Sequence, residues 1–529
     1  MIAYFIDNTG IYTSDGRIIK KPDVINSGEW LLCQLLNDNP KENKLLYDLD
    51  ACAASLIRLC LSEGHVRELY EKEKTYAYGG IKITYFPTRF FAIDGRNSFV
   101  NFGNMVRYKS DTHYSPSDNE GDKIGKAKEA AIIATSASNI LEELKLDKQR
   151  IISPVGALID KYIWSLRPPT VDDIPEDVSE LAFSTIKGNW LEAYKLGSWD
   201  CAYDYDINLA YGSVLAKLMD IRRGDWVSST TIPNNALYGF AKGSLEITAP
   251  FHPFIVKQGE EYSYSPIGIR DDVLPKNMID LLYKYKLGTF NIEKGRWWIP
   301  KTNYPIYEPL KGIINHLFKI RSESDGLKKV ILRQMIAGVW GRMLEIKKEK
   351  LGNLFNPVWG SIVENEIKCK VTETCLRHNI QPLLVAVDGV VTDKPLPITT
   401  STNMGEWRLS HKGKCIIVSS GVVGFEGKQG AEEFALHYDW LHDQLASDPK
   451  ATEYTMTKYS PLTLAKAIQL NSMDKLGELQ KADRSIIIGK DYKRLWNDYP
   501  KCGGDILNNT YESTPIDAIM ARGLINHQV

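Results

Sequence analysis

Along the first hundred residues, short apolar runs (MIAYFID and GIKITYFPTRFFAID) flank one long segment, ACAASLIRLCLSEGHVRELYEK, with apolar residues at helical spacing. Period two predicts strands and period 3.6 predicts helix, so this part reads as α/β. The polar stretch SPSDNEGDKIG predicts a loop, and the alanine-rich KAKEAAIIATSASNILEEL after it predicts a helix. LRPPTVDDIPEDVSE is acidic and rich in proline, and it predicts a linker closing a first domain.

Beyond the linker, DCAYDYDINLAYGSVLAKLMD reads as a strand running into a helix. Residues 225–310 read as strand and turn with one helix at KNMIDLLYKYKLG, and residues 311–350 as helix broken near SESDG. QPLLVAVDGVVTD places two apolar runs about an Asp-Gly pair, a hairpin signal. The last hundred residues predict mostly helix, with PLTLAKAIQLNSMDKLGELQK the clearest amphipathic run.

A chain of 529 residues is too long for one core, and at about 100–200 residues per domain it predicts roughly three or four units. Hydrophobic content of 43% is ample for those cores and excludes a disordered chain. The eight cysteines form no CxxC pair and the nine histidines do not cluster, which argues against a zinc site or a disulfide framework. The expected setting is a reduced cytoplasm, with no signal peptide in MIAYFIDNTG and no apolar run of about 18 residues to span a membrane. Net charge of −1 leaves any polyanionic partner to be decided by local distribution.

Locally, the charge is uneven. Residues 311–350 hold ten Lys or Arg against four Asp or Glu. On either side of this basic segment lies an aspartate at a strand end, Asp206 and Asp388. Each has a bland reading: Asp206 as a helix N-cap, Asp388 as a turn residue, the basic helix as a solvated face. Together they have the parts that nucleotidyl transfer needs. Carboxylates hold hard Mg²⁺ ions, two ions activate a hydroxyl and stabilise the leaving pyrophosphate, and cations neutralise the triphosphate.

In order and content these motifs resemble those of the family B DNA polymerases. DINLAYGSV is similar to the family's D-x-x-S-L-Y-P-S, which implies Asp206 and the carbonyl of Ile207 as metal ligands and Tyr211 as a steric gate against the ribose 2′-hydroxyl. RQMIAGVWG resembles K-x-x-x-N-S-x-Y-G, with Arg333 for the lysine and Ala337 for the asparagine. LVAVDG resembles Y-x-D-T-D-S, with Asp388 on the second aspartate, Ala386 on the first and Gly389 on the serine. LFKIR resembles the start of the fingers, implying Arg321, with Lys329 and Arg333, as triphosphate ligands. IKGNWLEAYKLG looks like the template-contacting link before the palm and implies a DNA contact at Gly188. The basic tail IIIGKDYKRLW suggests Lys490, Lys493 and Arg494 as thumb contacts to duplex.

The resemblance implies a multidomain α/β and α+β right hand. Residues 1–165 form a ribonuclease-H-like domain, 166–200 the linker, 201–304 and 351–428 the palm, 305–350 the fingers and 429–529 the thumb. It implies two Mg²⁺ ions, replaceable by Mn²⁺, with primer–template DNA, deoxynucleotides and the replication proteins of a virus or plasmid as partners, in the host cytoplasm if viral. The first domain lacks the family's exonuclease carboxylates. Asp7 stands in D-x-E with Thr9 for the glutamate, Cys52 stands for an aspartate and Glu129 for another. The expectation is therefore a degenerate exonuclease without proofreading. Only 55 residues separate Arg333 from Asp388, too few for the DNA-encircling insertion of protein-primed members, so weak strand displacement is expected. Two other readings stay open: a silent DNA-binding scaffold, and a primase or terminal transferase.

Overall fold

The computed structural model describes most of residues 119–518 and a set of strands before them. Residues 1, 8, most of 21–74, 87–89, 94–96, 102–118, 429–437, 488–492, 497–504, 519–529 and some shorter gaps lie outside the description. The long helix expected at 51–72 falls almost wholly there. The chain divides into two compact units, one of residues 1–161, 323–334 and 455–484, the other of 162–322, 335–454 and 485–529.

The first unit carries an eight-stranded mixed sheet. Ala3–Asp7 pairs antiparallel with Gly10–Thr13 and parallel with Lys44–Leu46, which in turn runs parallel to Asn97–Asn101. The strand-like run at 80–94 holds two paired strands, Ile81–Phe86 against Phe90–Ile93. Helix Glu120–Glu143 packs on Ala3–Asp7 through a stripe of Ala127, Ala130, Ala134, Ala137 and Leu141. Its start lies inside the stretch expected as loop, because Asn119 and Asp122 form a reciprocal capping box.

The second unit is built on an antiparallel sheet whose central path runs Val422–Phe425, Trp407–Ser419, Lys195–Ile207, Gly389–Thr392, Leu384–Ala386, Leu191–Ala193. Helix Pro357–Arg377 belongs to the same unit and is buried on most of its surface, as an interior helix must be. Asn356 caps it by accepting from the Trp359 amide at 3.0 Å, and Pro357 takes the first helical position. A second sheet, 224–228, 288–300, 238–247 and 268–275, packs helix Lys276–Lys284 through Leu245, Ile279, Leu282 and Trp297.

Two expectations are corrected here. The proline-rich 166–180 stretch is no bare spacer: it carries helix Glu176–Ser184, buries Val178 and Ala182, and Pro169 accepts from the Asn356 side chain at 2.9 Å. Among the described residues, the amphipathic run at 461–481 is α-helical over Leu464–Gln469, with a 3-10 turn at Met473–Lys475, and its ends belong to the paired strands Glu453–Pro461 and Leu479–Ile487. A helical period in sequence does not outweigh strand pairing formed in the tertiary fold.

Candidate active site

Alternation along Lys195–Ile207 buries Tyr205 and Ile207 on one face and leaves Asp204 and Asp206 together on the other. Asp206 lies opposite Gly389 in register, and the Ile207 amide donates to the Asp388 carbonyl at 3.0 Å. Asp206, on its strand, and Asp388, in the turn before Gly389, are thus neighbours. A Cβ at Gly389 would stand 2.9 Å from the Tyr205 carbonyl oxygen, so the serine of the family motif would not fit here without a shift.

The hairpin turn differs from its sequence signal. Its two loop residues are Val387 and Asp388, with Ala386 paired to Gly389, and the positive φ of 60° falls on Val387. A β-branched residue in that region is strained, and the turn is braced where the Val387 amide donates to the Trp190 carbonyl at 2.8 Å. Asp206 is no N-cap: helix Ala210–Leu215 starts after Leu209, itself at φ 49°.

Tyr211 on that helix lies against Trp340, ring centroids 4.8 Å apart. Burial, then the negative charges of Asp388 and Glu364, push its hydroxyl pKa up, so the ring carries a neutral phenol. Gly212 lets this helix approach Gly326–Met343, since a Cβ there would meet Ile336 at 2.6 Å. Glu364, 5% exposed, accepts from the amides of Lys187 and Gly188 at 3.0 and 2.9 Å and pairs with buried Lys368. The Gly188 amide is therefore engaged within the protein rather than offered to a template.

Sequence reasoning missed one cation. Arg408 lies opposite Asp206 in register and donates from Nε and Nη2 to both carboxylate oxygens, at 2.5 and 2.6 Å. The hydrogen bond to Asp206 raises the guanidinium pKa, and Asp388 and Asp204 add to the rise. Lys428 pairs with Asp204 in the same way. Only the spacing to a distant strand would have pointed to either, and sequence alone does not supply strand register.

The groups that the motifs imply as ligands, Asp206, Asp388 and the Ile207 carbonyl, all offer oxygen, the donor that Mg²⁺ takes. Among the described residues no group of three His, Cys, Asp or Glu is placed to hold a metal ion, in keeping with alanine at position 386.

No family model matches the sequence, and no curated protein matches it. Solved structures do. Phi29 DNA polymerase with primer–template DNA and incoming nucleotide matches with a TM-score of 0.56 and 11% identity, covering 90% of this chain and 96% of that one. The same enzyme in its post-translocation complex with primer–template matches at 0.59 and 11%, and with single-stranded DNA at 0.57 and 10%, with the same coverage. The chain has the fold of Phi29 DNA polymerase. That agrees with the family B resemblance its motifs carry.

Arg321 ends helix Lys311–Ser322 and is 8% exposed, while Lys329 and Arg333 are exposed on Gly326–Met343 and belong to the first unit. Lys490 and Cys52 lie outside the described residues. Lys493 and Arg494, expected as thumb contacts, both bond within the protein. Lys493 donates to the Leu191 carbonyl at 2.6 Å. Arg494, 3% exposed, pairs at 2.7 Å with the fully buried Glu192 and also donates to Ser513. A basic sequence run does not distinguish a solvent-facing cation from one that neutralises a buried carboxylate.

In the first unit, Asp7 ends its strand and Thr9 lies in the turn beyond it, bonded to the Tyr12 hydroxyl at 2.6 Å. A D-x-E pair shares one face only while the strand continues, so even glutamate at position 9 would leave that face. Glu129 lies on helix Glu120–Glu143.

Among the described residues no helix is long and apolar enough to cross a membrane.

Proposed function

We propose that this protein is a template-directed DNA polymerase that adds deoxynucleotides to a primer 3′-hydroxyl by two-Mg²⁺ nucleotidyl transfer, without 3′–5′ proofreading. One observation carries the reading. Asp206 near the end of its strand and Asp388 in the adjoining hairpin turn are neighbours, joined through the Ile207 amide and the Asp388 carbonyl, in a chain with the fold of a DNA polymerase. Asp206, Asp388 and the Ile207 carbonyl would hold the ions, which when bound activate the hydroxyl and stabilise the pyrophosphate. The chain's own part is positional. The strand Lys195–Ile207 carries Asp206, and the turn braced at Val387 carries Asp388. Tyr211, pressed on Trp340, presents a neutral ring against the sugar, where a 2′-hydroxyl would clash. Arg321, Lys329 and Arg333 are read from their motifs as cations for the triphosphate.

A silent DNA-binding scaffold is favoured by one specific feature, the guanidinium of Arg408 already seated on Asp206. Extension of a labelled primer on a DNA template with Mg²⁺ decides between them. Growth from a matched end, and from a mismatched end without removal of the mismatch, is the expected result. Binding without extension would transfer the reading to the scaffold.

A further inference from the structure

Asp206 has both carboxylate oxygens occupied by a single forked guanidinium. This bidentate geometry is the strongest a carboxylate finds among side chains, and it competes directly with a cation for the same lone pairs. Around it, three carboxylates (Asp204, Asp206 and Asp388) share the strand ends with two side-chain cations, Arg408 and Lys428. The ion pair is not sealed away: the side chain of Arg408 is 39% exposed and that of Asp206 23%. It opens at modest cost. Neither strand depends on it, because Lys195–Ile207 is held by backbone ladders on both sides.

We infer that Arg408 is the built-in counter-ion of this site: it holds Asp206 while no divalent cation is bound, and a cation reaches Asp206 only by displacing it. The inference rests on the reading of Asp206 as a metal ligand. Arg408 balances the charge of the carboxylates around it, so they keep their places instead of repelling one another. In exchange, the site binds metal more weakly than its two aspartates alone would. Arg408 acts through Asp206 and is a positioning residue.

The test is Mn²⁺ binding by the full-length chain, read from the electron paramagnetic resonance of free Mn²⁺, with neither DNA nor nucleotide present. Arg408→Gln is expected to bind Mn²⁺ about five- to tenfold tighter, tenfold corresponding to about 1.4 kcal/mol, the scale of one charge-assisted hydrogen bond. Arg408→Lys keeps the charge without the fork and is expected to fall between; it keeps the test readable if the glutamine variant fails to fold. Asp206→Asn removes the gain from either change. An arginine that merely props the strand would loosen metal binding or leave it unaltered.

Primer extension by the same proteins separates the two claims. Unchanged or weaker Mn²⁺ binding by Arg408→Gln, with extension by the unaltered chain intact, overturns the inference and leaves the polymerase reading standing. Tighter binding with no extension by any protein keeps the inference and overturns the polymerase. No Mn²⁺ binding by any of them overturns the inference, and overturns the polymerase reading as well only where the unaltered chain also fails to extend a primer.

Discussion

Asp388 follows a valine held at φ 60°, a conformation that costs of order 1–3 kcal/mol for such a residue. The surrounding bonds, Val387 amide to Trp190 and Ile207 amide to the Asp388 carbonyl, hold it there. Strain maintained at one carboxylate is the mark of a position that the fold over-determines. Asp388→Asn is therefore expected to lower primer extension by more than about 100-fold, since even a partner of a metal ligand contributes 10–100-fold. DNA binding by filter retention should stay close to that of the unaltered chain; persistent extension would remove Asp388 from the metal site. Tyr211→Ala opens the space under the sugar. Its ribonucleotide-to-deoxynucleotide incorporation ratio, from single-nucleotide extension, is expected to rise, and an unchanged ratio would end the gate assignment.

At the scale of elements, the strand Leu191–Ala193 is tied to the C-terminal segment by the buried Glu192–Arg494 pair, with Ser265 and Trp190 also donating to Glu192. Burial pushes the Glu192 carboxyl pKa up against the pull of Arg494, so loss of the arginine leaves a buried acid without its cation. Arg494→Ala is expected to cost about 3–5 kcal/mol in chemical denaturation. DNA affinity per folded molecule should not change, and a loss of affinity with stability intact would restore Arg494 to the duplex interface. The helices over 311–343 and the hairpin over 384–392 were legible because their periodicity and turn signals are local. The strand Glu453–Pro461 and its partner Leu479–Ile487 were not, since the sequence that starts at Pro461 and runs into the partner carries a helical period and no tight-turn signal.

Across the molecule, positive and negative charges nearly cancel, so contact with DNA depends on where the cations gather. Between helices Gly326–Met343 and Pro357–Arg377 the described chain forms one small hairpin, Ile346–Lys347 against Lys350–Leu351. Among the described residues, this hairpin and helix Pro357–Arg377 are the elements between the second motif and the third. On a nicked duplex without a helicase, extension is expected to stall within a short distance of the nick, while on single-stranded template it continues. Long displaced products on a denaturing gel would refute this.

By itself, the sequence determined the order of the three motifs, the aspartate at each strand end, the neutral overall charge and the erosion at Ala386 and Ala337. All of these are properties of residue type and short spacing. Only the tertiary structure decided that Arg408 sits on Asp206, that Arg494 is buried against Glu192, and that the hairpin bends at Val387 rather than at Gly389. Strand register and burial couple residues some two hundred to three hundred positions apart, and neither propensity nor periodicity carries information over such a distance.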